Sequence, residues 1–405
     1  MTTPRFRTRL ESLSEYIPAM PTLPTLERRL ARATNLNDLR RLARRRAPRM
    51  IFDYVDGGAE EERSLKTSVT AFDRVEYHPR ALQDVSEVSG ATEIFGREVS
   101  LPLVLGPTGF TRMMHHEGEA AVAMAAQEAG VPYVLSTMGS TTAAGIAAAA
   151  PAGWNWFQLY VVRDRALNNE RLELARAAGM DVLVLTVDTP VAGARLRDVR
   201  HGMTIPPSLR WGSALQAVRH PRWWSRFVMS EPLNFAAAGG ASDDLAGIVR
   251  TLFDPNITFR DVEWVRDRWE GRLLIKGVQD TGDAKELAAL GVDGIVVSNH
   301  GGRQLDRTPA PLELLPDIRT AVGDKTGVYL DGGVRSGSDL AAAVALGADA
   351  SFVGRAYLYG LMAGGQKGVD RMLALFREDY VRTLQLLGLS STAEIDRGVA
   401  SIRKW

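Results

Sequence analysis

The chain contains no cysteine, which excludes disulfides, thiolate nucleophiles and thiolate metal sites. Such a composition fits a cytoplasmic protein. Charge of one sign is equally absent: 49 Lys and Arg stand against 48 Asp and Glu, so neither nucleic acid nor another polyanion is an expected partner. No apolar run approaches the length of a membrane span, and the amino terminus lacks the apolar core of a secretory signal. Histidine is scarce, at six residues. His78, His115, His116, His201 and His220 lack the carboxylate spacing of a dedicated metal site, so they read as structural or surface residues and no metal is expected. His300 stands in different company.

What the sequence does have is a recurring unit: an alanine-rich helical stretch, a glycine, then a short apolar run. Ala125 to Gly130 precedes Val131 to Leu135, and Leu287 to Gly291 precedes Gly294 to Val297. Glycine just past a helix end is a left-handed stop, and an apolar run bounded in this way is a strand buried on both faces. The runs are Leu101 to Gly106, Val131 to Leu135, Trp156 to Val161, Val182 to Val187, Leu273 to Val278, Gly294 to Val297, Val328 to Asp331 and Ser351 to Val353. Eight strands alternating with helices predict an α/β fold, a (β/α)8 TIM barrel. A doubly wound sheet competes, but no G-x-G-x-x-G follows a first strand.

The expected organisation is an N-terminal helical extension over residues 1–95, a barrel over 96–390 and a C-terminal tail over 391–405. Within the extension, Leu26 to Ala47 reads as one basic helix, and Met50 to Ala71 as helix broken at Gly57-Gly58. A long insertion after strand 4, about residues 189–260, would lie over the active-site face.

In such a barrel the chemistry sits at the carboxyl ends of the strands. Useful groups do fall there. Pro107-Thr108-Gly109 follows strand 1, Ser136 ends strand 2, Gln158 and Tyr160 lie late in strand 3, and Thr186 and Asp188 close strand 4. Lys276 is on strand 5, and Ser298-Asn299-His300-Gly301-Gly302-Arg303 follows strand 6, setting a base three residues from an anion clamp. A capping histidine with a surface arginine is the structural alternative. Asp331-Gly332-Gly333-Val334-Arg335 and Gly354-Arg355 end strands 7 and 8, the usual phosphate corner of the fold. A helix cap by Ser336 or Ser338 would account for the first of these loops instead. Lys276 in an apolar strand calls for an anionic ligand or a barrel carboxylate, and Asp188 would either cap its loop or orient His300.

Taken together, Phe52 to Glu60, Phe157 to Tyr160, Ser298 to Asp306 and Leu330 to Arg335 resemble the FMN-dependent α-hydroxy acid oxidase and dehydrogenase family, over about Leu39 to Leu387. The lactate, mandelate and glycolate enzymes are its members. The resemblance implies FMN as cofactor and oxidation of an L-2-hydroxy acid to the 2-oxo acid. It implies His300 as catalytic base with Asp188 as partner, Arg195 and Arg303 on the substrate carboxylate, and Tyr54 and Tyr160 hydrogen-bonding the substrate. Thr108, Ser136, Gln158, Thr186, Lys276 and Ser298 would touch the flavin, with Pro107 and Gly109 beside it. Asp331, Gly332, Gly333, Val334, Arg335, Gly354 and Arg355 would hold its phosphate. Loss of the α-hydrogen as a proton and its loss as a hydride both suit His300. The family also implies a homotetramer.

Three residues depart from the commoner oxidase pattern: Gly109 for alanine, Val55 for tyrosine and Met138 for tryptophan. The first bears on oxygen reactivity and the others on the substrate pocket. Within the insertion, His220-Pro221-Arg222-Trp223-Trp224-Ser225-Arg226 mixes tryptophan with arginine, as an interfacial segment does, and the membrane-associated mandelate dehydrogenase is similar there. A subunit contact or a lid explains the same residues. Peripheral contact through about 203–240, on the inner face of the cytoplasmic membrane, would favour quinone as electron acceptor over oxygen. Gly193 to Arg200 also resembles actinobacterial dehydrogenases of the mycofactocin type, which makes a redox peptide a further acceptor. Two other readings compete: an FMN-dependent isomerase of a phosphorylated substrate, and a non-enzymatic flavin-binding protein.

Overall fold

The computed structural model describes residues 25–200, 219–230, 236–238 and 254–403. Eight parallel strands close into a barrel: β1 (Leu103–Leu105), β2 (Tyr133–Ser136), β3 (Asn155–Leu159), β4 (Val182–Thr186), β5 (Arg272–Val278), β6 (Gly294–Ser298), β7 (Gly327–Asp331) and β8 (Ala350–Val353). They pair in chain order, and β8 pairs back with β1. Their near-continuous Val, Leu and Ile content follows from this closure, because each strand has a filled interior on one side and helices on the other. Val104, Val134, Trp156, Val184, Leu274, Val296, Tyr329 and Phe352 form the inner cluster. The alternate residues, among them Leu103, Leu135, Phe157, Leu183, Ile275, Ile295 and Leu330, belong to the outer layer with the helices.

The amino-terminal end of the barrel is stoppered. A two-stranded hairpin, Thr92–Ile94 against Arg97–Val99, brings Phe95 to 6.3 Å from the Trp156 ring and 6.0 Å from that of Tyr329.

The N-terminal extension, expected to be helical, also contains strands Val75–Tyr77 and Thr92–Ile94, and its helices differ from expectation in one place. Instead of a single helix over Leu26 to Ala47 there are two, Leu26–Ala31 and Leu36–Arg46. The first ends at Arg32, and Asn35 starts the second: its backbone is extended and its side chain accepts the Asp38 N–H at 3.0 Å as an N-cap. The expected break at Gly57-Gly58 is present, between helices Arg49–Asp56 and Arg63–Thr70. At the other end, residues expected as a plain tail contain a strand, Ala400–Ile402, which pairs antiparallel with Val75–Tyr77. Among the described residues no helix is long and apolar enough to cross a membrane.

Candidate active site

A cavity of about 400 Å³ opens at the carboxyl ends of the strands, and both the barrel loops and the N-terminal extension line it. Tyr54, Thr108, Ser136, Tyr160, Thr186, Arg195, Lys276, His300 and Arg303 reach it, as do Pro107, Gly109, the Asp331 to Arg335 loop and Gly354-Arg355. Asp188, Gln158 and Ser298 stand behind this wall and are absent from the lining. The three departures noted in the sequence, Val55, Gly109 and Met138, all face the cavity.

His300 Nδ1 lies 2.9 Å from Asp188 Oδ1. A carboxylate accepts only, so Nδ1 carries the proton and Nε2 is left as the basic nitrogen. The backbone holds the ring there at some cost. His300, Gly301 and Gly302 all have positive φ, at 56°, 61° and 69°, and the His300 N–H donates to Ser298 Oγ at 3.0 Å. Glycine follows this path freely and histidine does not, so the strain is concentrated on the one residue with chemistry. Asp188 is seated by a second irregularity, a bulge in β5 at Gly277 with φ of 111°. A Cβ on Gly277 would lie 2.5 Å from Asp188 Cβ.

Beside this pair, Lys276 Nζ meets Asp331 Oδ2 at 2.7 Å and Ser298 Oγ at 3.0 Å, and Ser298 Oγ donates to Asp331 at 2.6 Å. Burial alone would neutralise both charges. Burial works against the Lys276 ammonium, but Asp331 and Asp188 outweigh it and raise its pKa, while Lys276 holds Asp331 below its ordinary value. The barrel-carboxylate reading of Lys276 therefore holds, and the ammonium still lines the cavity.

Arg303 and Arg195 approach one ring from two elements. Their guanidinium carbons lie 4.8 Å and 5.6 Å from the centre of Tyr54. Arg303 Nη1 also donates to the Tyr54 carbonyl at 2.7 Å, and its pKa is lowered by burial and then by Arg195. Two cations held this close favour an anion between them. Tyr160 completes this side, with a hydroxyl whose pKa is raised by burial and by Asp188 and Tyr54.

At the β7 and β8 corner the two arginines separate. Arg355 donates to three carbonyls, those of Val55 at 2.8 Å, Gly301 at 2.7 Å and Gly57 at 2.6 Å, and burial followed by Arg303 lowers its pKa to about 10. It ties the extension to the barrel and lines the cavity. Arg335 makes no salt bridge among the described residues. Ser336 does cap helix Gly337–Ala345, accepting the Asp339 N–H at 3.1 Å, so that reading of the loop is right about Ser336 without accounting for Arg335.

A flat heteroaromatic with a phosphate tail suits these walls. Gln158 Oε1 accepts from Ser136 Oγ at 3.0 Å and from the Thr137 N–H at 3.2 Å, whereas its fully buried Nε2 has no partner among the described residues. An unused buried donor at a strand end calls for a ligand acceptor. Glycines at 332, 333 and 354 line the corner at the ends of β7 and β8, and the missing Cβ of Gly333 leaves room for the Ser68 carbonyl, 2.0 Å from where it would lie.

Several residues that shape the site were not singled out in the sequence. Gln304 Nε2 donates to the carbonyls of Asp188 at 3.0 Å and Val191 at 2.9 Å, while its Oε1 accepts the Gly193 N–H. Asp306 accepts backbone N–H groups of Glu61, Arg63 and Ser64, capping helix Arg63–Thr70. Asn299 bridges Ser68 Oγ and the Gly302 N–H. Their place inside the motif was the available signal. His115, His116 and Glu117 bring ligand atoms within 4.8 Å of one another, but Arg226 Nη1 stands 3.4 Å from His116 Nε2 and its positive charge opposes a cation there.

Of the insertion, residues 201–218, 231–235 and 239–253 lie outside the described residues, so much of the expected 203–240 surface does too. The tryptophan segment forms helix Pro221–Met229, whose Trp223 Nε1 donates to the carbonyl of the cavity residue Met114 at 3.2 Å. Val228 and Met229 on this helix are 74% and 86% exposed.

Comparison with known proteins agrees with this geometry. The family model described as FMN-dependent dehydrogenase matches residues 43–402. The chain is 46% identical to a putative L-lactate dehydrogenase of Mycobacterium tuberculosis, over 95% of this chain and 93% of the relative. It is 44% identical to an L-lactate dehydrogenase of Caulobacter, over 90% and 98%. Among solved structures, monotopic membrane protein (S)-mandelate dehydrogenase superposes with a TM-score of 0.87 at 37% identity, covering 92% of this chain and all of that one. A mandelate oxidase superposes at 0.79 with 37% identity, over 92% of this chain and all of that one. With its barrel, its cavity and a match over most of its length, the chain belongs to the FMN-dependent dehydrogenase family, and its cofactor is FMN.

Proposed function

We propose that this protein oxidises a small L-2-hydroxy acid to the 2-oxo acid. The observation that carries the reading is the convergence, in one cavity, of the His300–Asp188 pair with Arg195 and Arg303 around Tyr54. The two guanidinium groups take the substrate carboxylate, and the Tyr54 and Tyr160 hydroxyls orient the 2-hydroxyl. His300 Nε2 accepts the proton that leaves, and Asp188 stabilises the imidazolium that results. Bound FMN supplies the two-electron sink. Thr108, Ser136, Gln158, Thr186, Lys276 and Ser298 would hold its ring system, with Lys276 as fixed positive charge, and the Asp331 to Arg335 and Gly354-Arg355 loops its phosphate. An isomerase of a phosphorylated substrate would have no use for Arg195 and Arg303 together at this end of the cavity.

For the second half-reaction we propose a quinone or another redox carrier, reached at a membrane surface. Helix Pro221–Met229 supports this, since exposed Val228 and Met229 accompany Arg222 and Arg226 beside the cavity residue Met114. A related structure is that of a monotopic membrane protein. Oxygen is the competing acceptor, and Gly109 is the residue that bears on it. A Cβ there would lie 2.7 Å from Met138 Cβ, so alanine would require Met138 to shift.

The test is anaerobic mixing of the purified holoenzyme with L-lactate, (S)-mandelate and glycolate, followed by oxygen or a soluble quinone. Rapid loss of flavin absorbance with at least one acid, reversed faster by quinone than by oxygen, supports both halves. No bleaching with any of the three contradicts the first. Faster reoxidation by oxygen contradicts the second.

A further inference from the structure

Arg195 lies on a segment held over the cavity by contacts with other elements. After β4 the chain lines the cavity from Ala192 to Val199 and enters helix Leu196–Arg200. Upstream it is pinned by main-chain contacts: Gln304 grips Asp188, Val191 and Gly193, and the Glu60 N–H donates to the Ala194 carbonyl at 2.8 Å. Beyond Arg195 the side-chain anchor to the extension is Arg197. Its Nη1 donates to Asp56 Oδ2 at 3.1 Å and lies 3.7 Å from Asp53 Oδ1, while Nη2 donates to Glu62 Oε2. Asp56 is in turn fixed by Arg40 at 2.6 Å and by the Tyr359 hydroxyl at 2.8 Å. The same short turn carries Asp198, buried and 3.7 Å from Arg195 Nε.

We propose that Arg197 is a positioning residue for substrate-carboxylate recognition: it clasps helix Leu196–Arg200 onto the Asp53–Asp56–Glu62 face of the extension and so sets Arg195 opposite Arg303. The proposal rests on the reading of Arg195 as a carboxylate ligand. Arg197 is distinct from the lining, since it does not reach the cavity, and its partners are largely buried, which makes the clasp stronger than an exposed ion pair. Removing it strands no carboxylate, because Asp56 keeps Arg40 and Tyr359 and Glu62 keeps the Gly58 N–H at 3.2 Å. The loss therefore falls on placement of Arg195 rather than on folding.

The experiment compares holoenzymes carrying Arg197→Met, Arg197→Lys, Arg195→Met and the double Arg195→Met/Arg197→Met. The 2-hydroxy acid used is whichever of L-lactate, (S)-mandelate and glycolate reduces the wild-type flavin fastest. Arg197→Met should raise the substrate Kd of flavin reduction about tenfold, with the limiting reduction rate within about twofold. Calorimetric binding of oxalate, which needs no turnover, should weaken by a similar factor, and Arg197→Lys should recover part of it. In the double variant the Arg197 change should add less than about twofold to Arg195→Met, since a residue acting through Arg195 has nothing left to place. An unchanged Kd in Arg197→Met, a fall in reduction rate alone, or fully multiplicative effects in the double variant overturns the proposal. If Arg195→Met itself binds substrate and oxalate normally, the reading beneath it fails and the proposal falls with it.

Discussion

Asp188 Oδ1 stands 2.9 Å from His300 Nδ1, and Asp188 Oδ2 is buried with no hydrogen-bond partner of its own among the described residues. The carboxylate is thus committed to the imidazole rather than to capping its loop. Asn in its place could donate to Nδ1 and move the ring proton to Nε2, the wrong nitrogen for a base. Asp188→Asn should slow anaerobic flavin reduction by about 10²-fold or more while leaving FMN content unchanged. Stopped-flow absorbance checks this, and a reduction rate within about threefold of wild type would show that the pair does not set the tautomer.

Gly277 makes room for that carboxylate. With φ of 111° and only 2.5 Å between the place a methyl group would take and Asp188 Cβ, alanine is opposed by both backbone and neighbour. Gly277→Ala should cost about 1–3 kcal/mol in urea unfolding and slow flavin reduction as Asp188 is displaced. Normal stability together with normal reduction would place no importance on the bulge.

Lys276 and Asp331 are a buried pair, and breaking one side should harm more than removing both. Lys276→Met is expected to lose about 3–5 kcal/mol of stability, because Asp331 is left buried without its counter-charge. Lys276→Met/Asp331→Asn should recover a substantial part of that loss without restoring flavin reduction. Additive destabilisation in the double variant would contradict the pairing.

Asp56 gives a pH signature. Burial pushes its carboxyl up, but hydrogen bonds from Arg40, Tyr359 and Arg197 prevail and bring it down to about 2, against an ordinary 3.8. A depressed folded-state value means stabilisation that is present above the unfolded pKa and lost as pH falls through the folded one. The stability gap between wild type and Asp56→Asn should be about 2 kcal/mol at about pH 6 and should shrink from about pH 4 toward about pH 2. Urea midpoints across that range measure it, and a gap that stays constant would exclude an ionised Asp56 as the source.

The barrel was legible because its strands are buried on both faces: Val182 to Thr186 and Gly294 to Ser298 are apolar until the last residue, where function begins. Rim residues such as Ser136, Thr186 and Lys276 were therefore visible as polar endings or interruptions, and each faces the cavity. Partnerships across long stretches of chain left no local trace. Nothing near Arg355 announces that it serves the carbonyls of Val55 and Gly57, and nothing near Asp306 announces a helix cap more than 240 residues upstream. Arg197 was missed for the same reason, since its partners Asp56 and Glu62 belong to another element. Asn35 was a local signal of a kind already used for Ser336, and the run of arginines after it masked the cap.

If His300 removes a proton from a 2-hydroxy acid whose carboxylate lies between Arg195 and Arg303, the rate of flavin reduction must depend on its imidazole. Single-turnover anaerobic reduction of FMN, comparing wild type with His300→Gln at equal flavin content, tests this most directly. The wild type should yield one equivalent of 2-oxo acid per FMN reduced, and His300→Gln should be reduced at least about 10³-fold more slowly. Comparable reduction rates in the two proteins would contradict a role for His300 as the base.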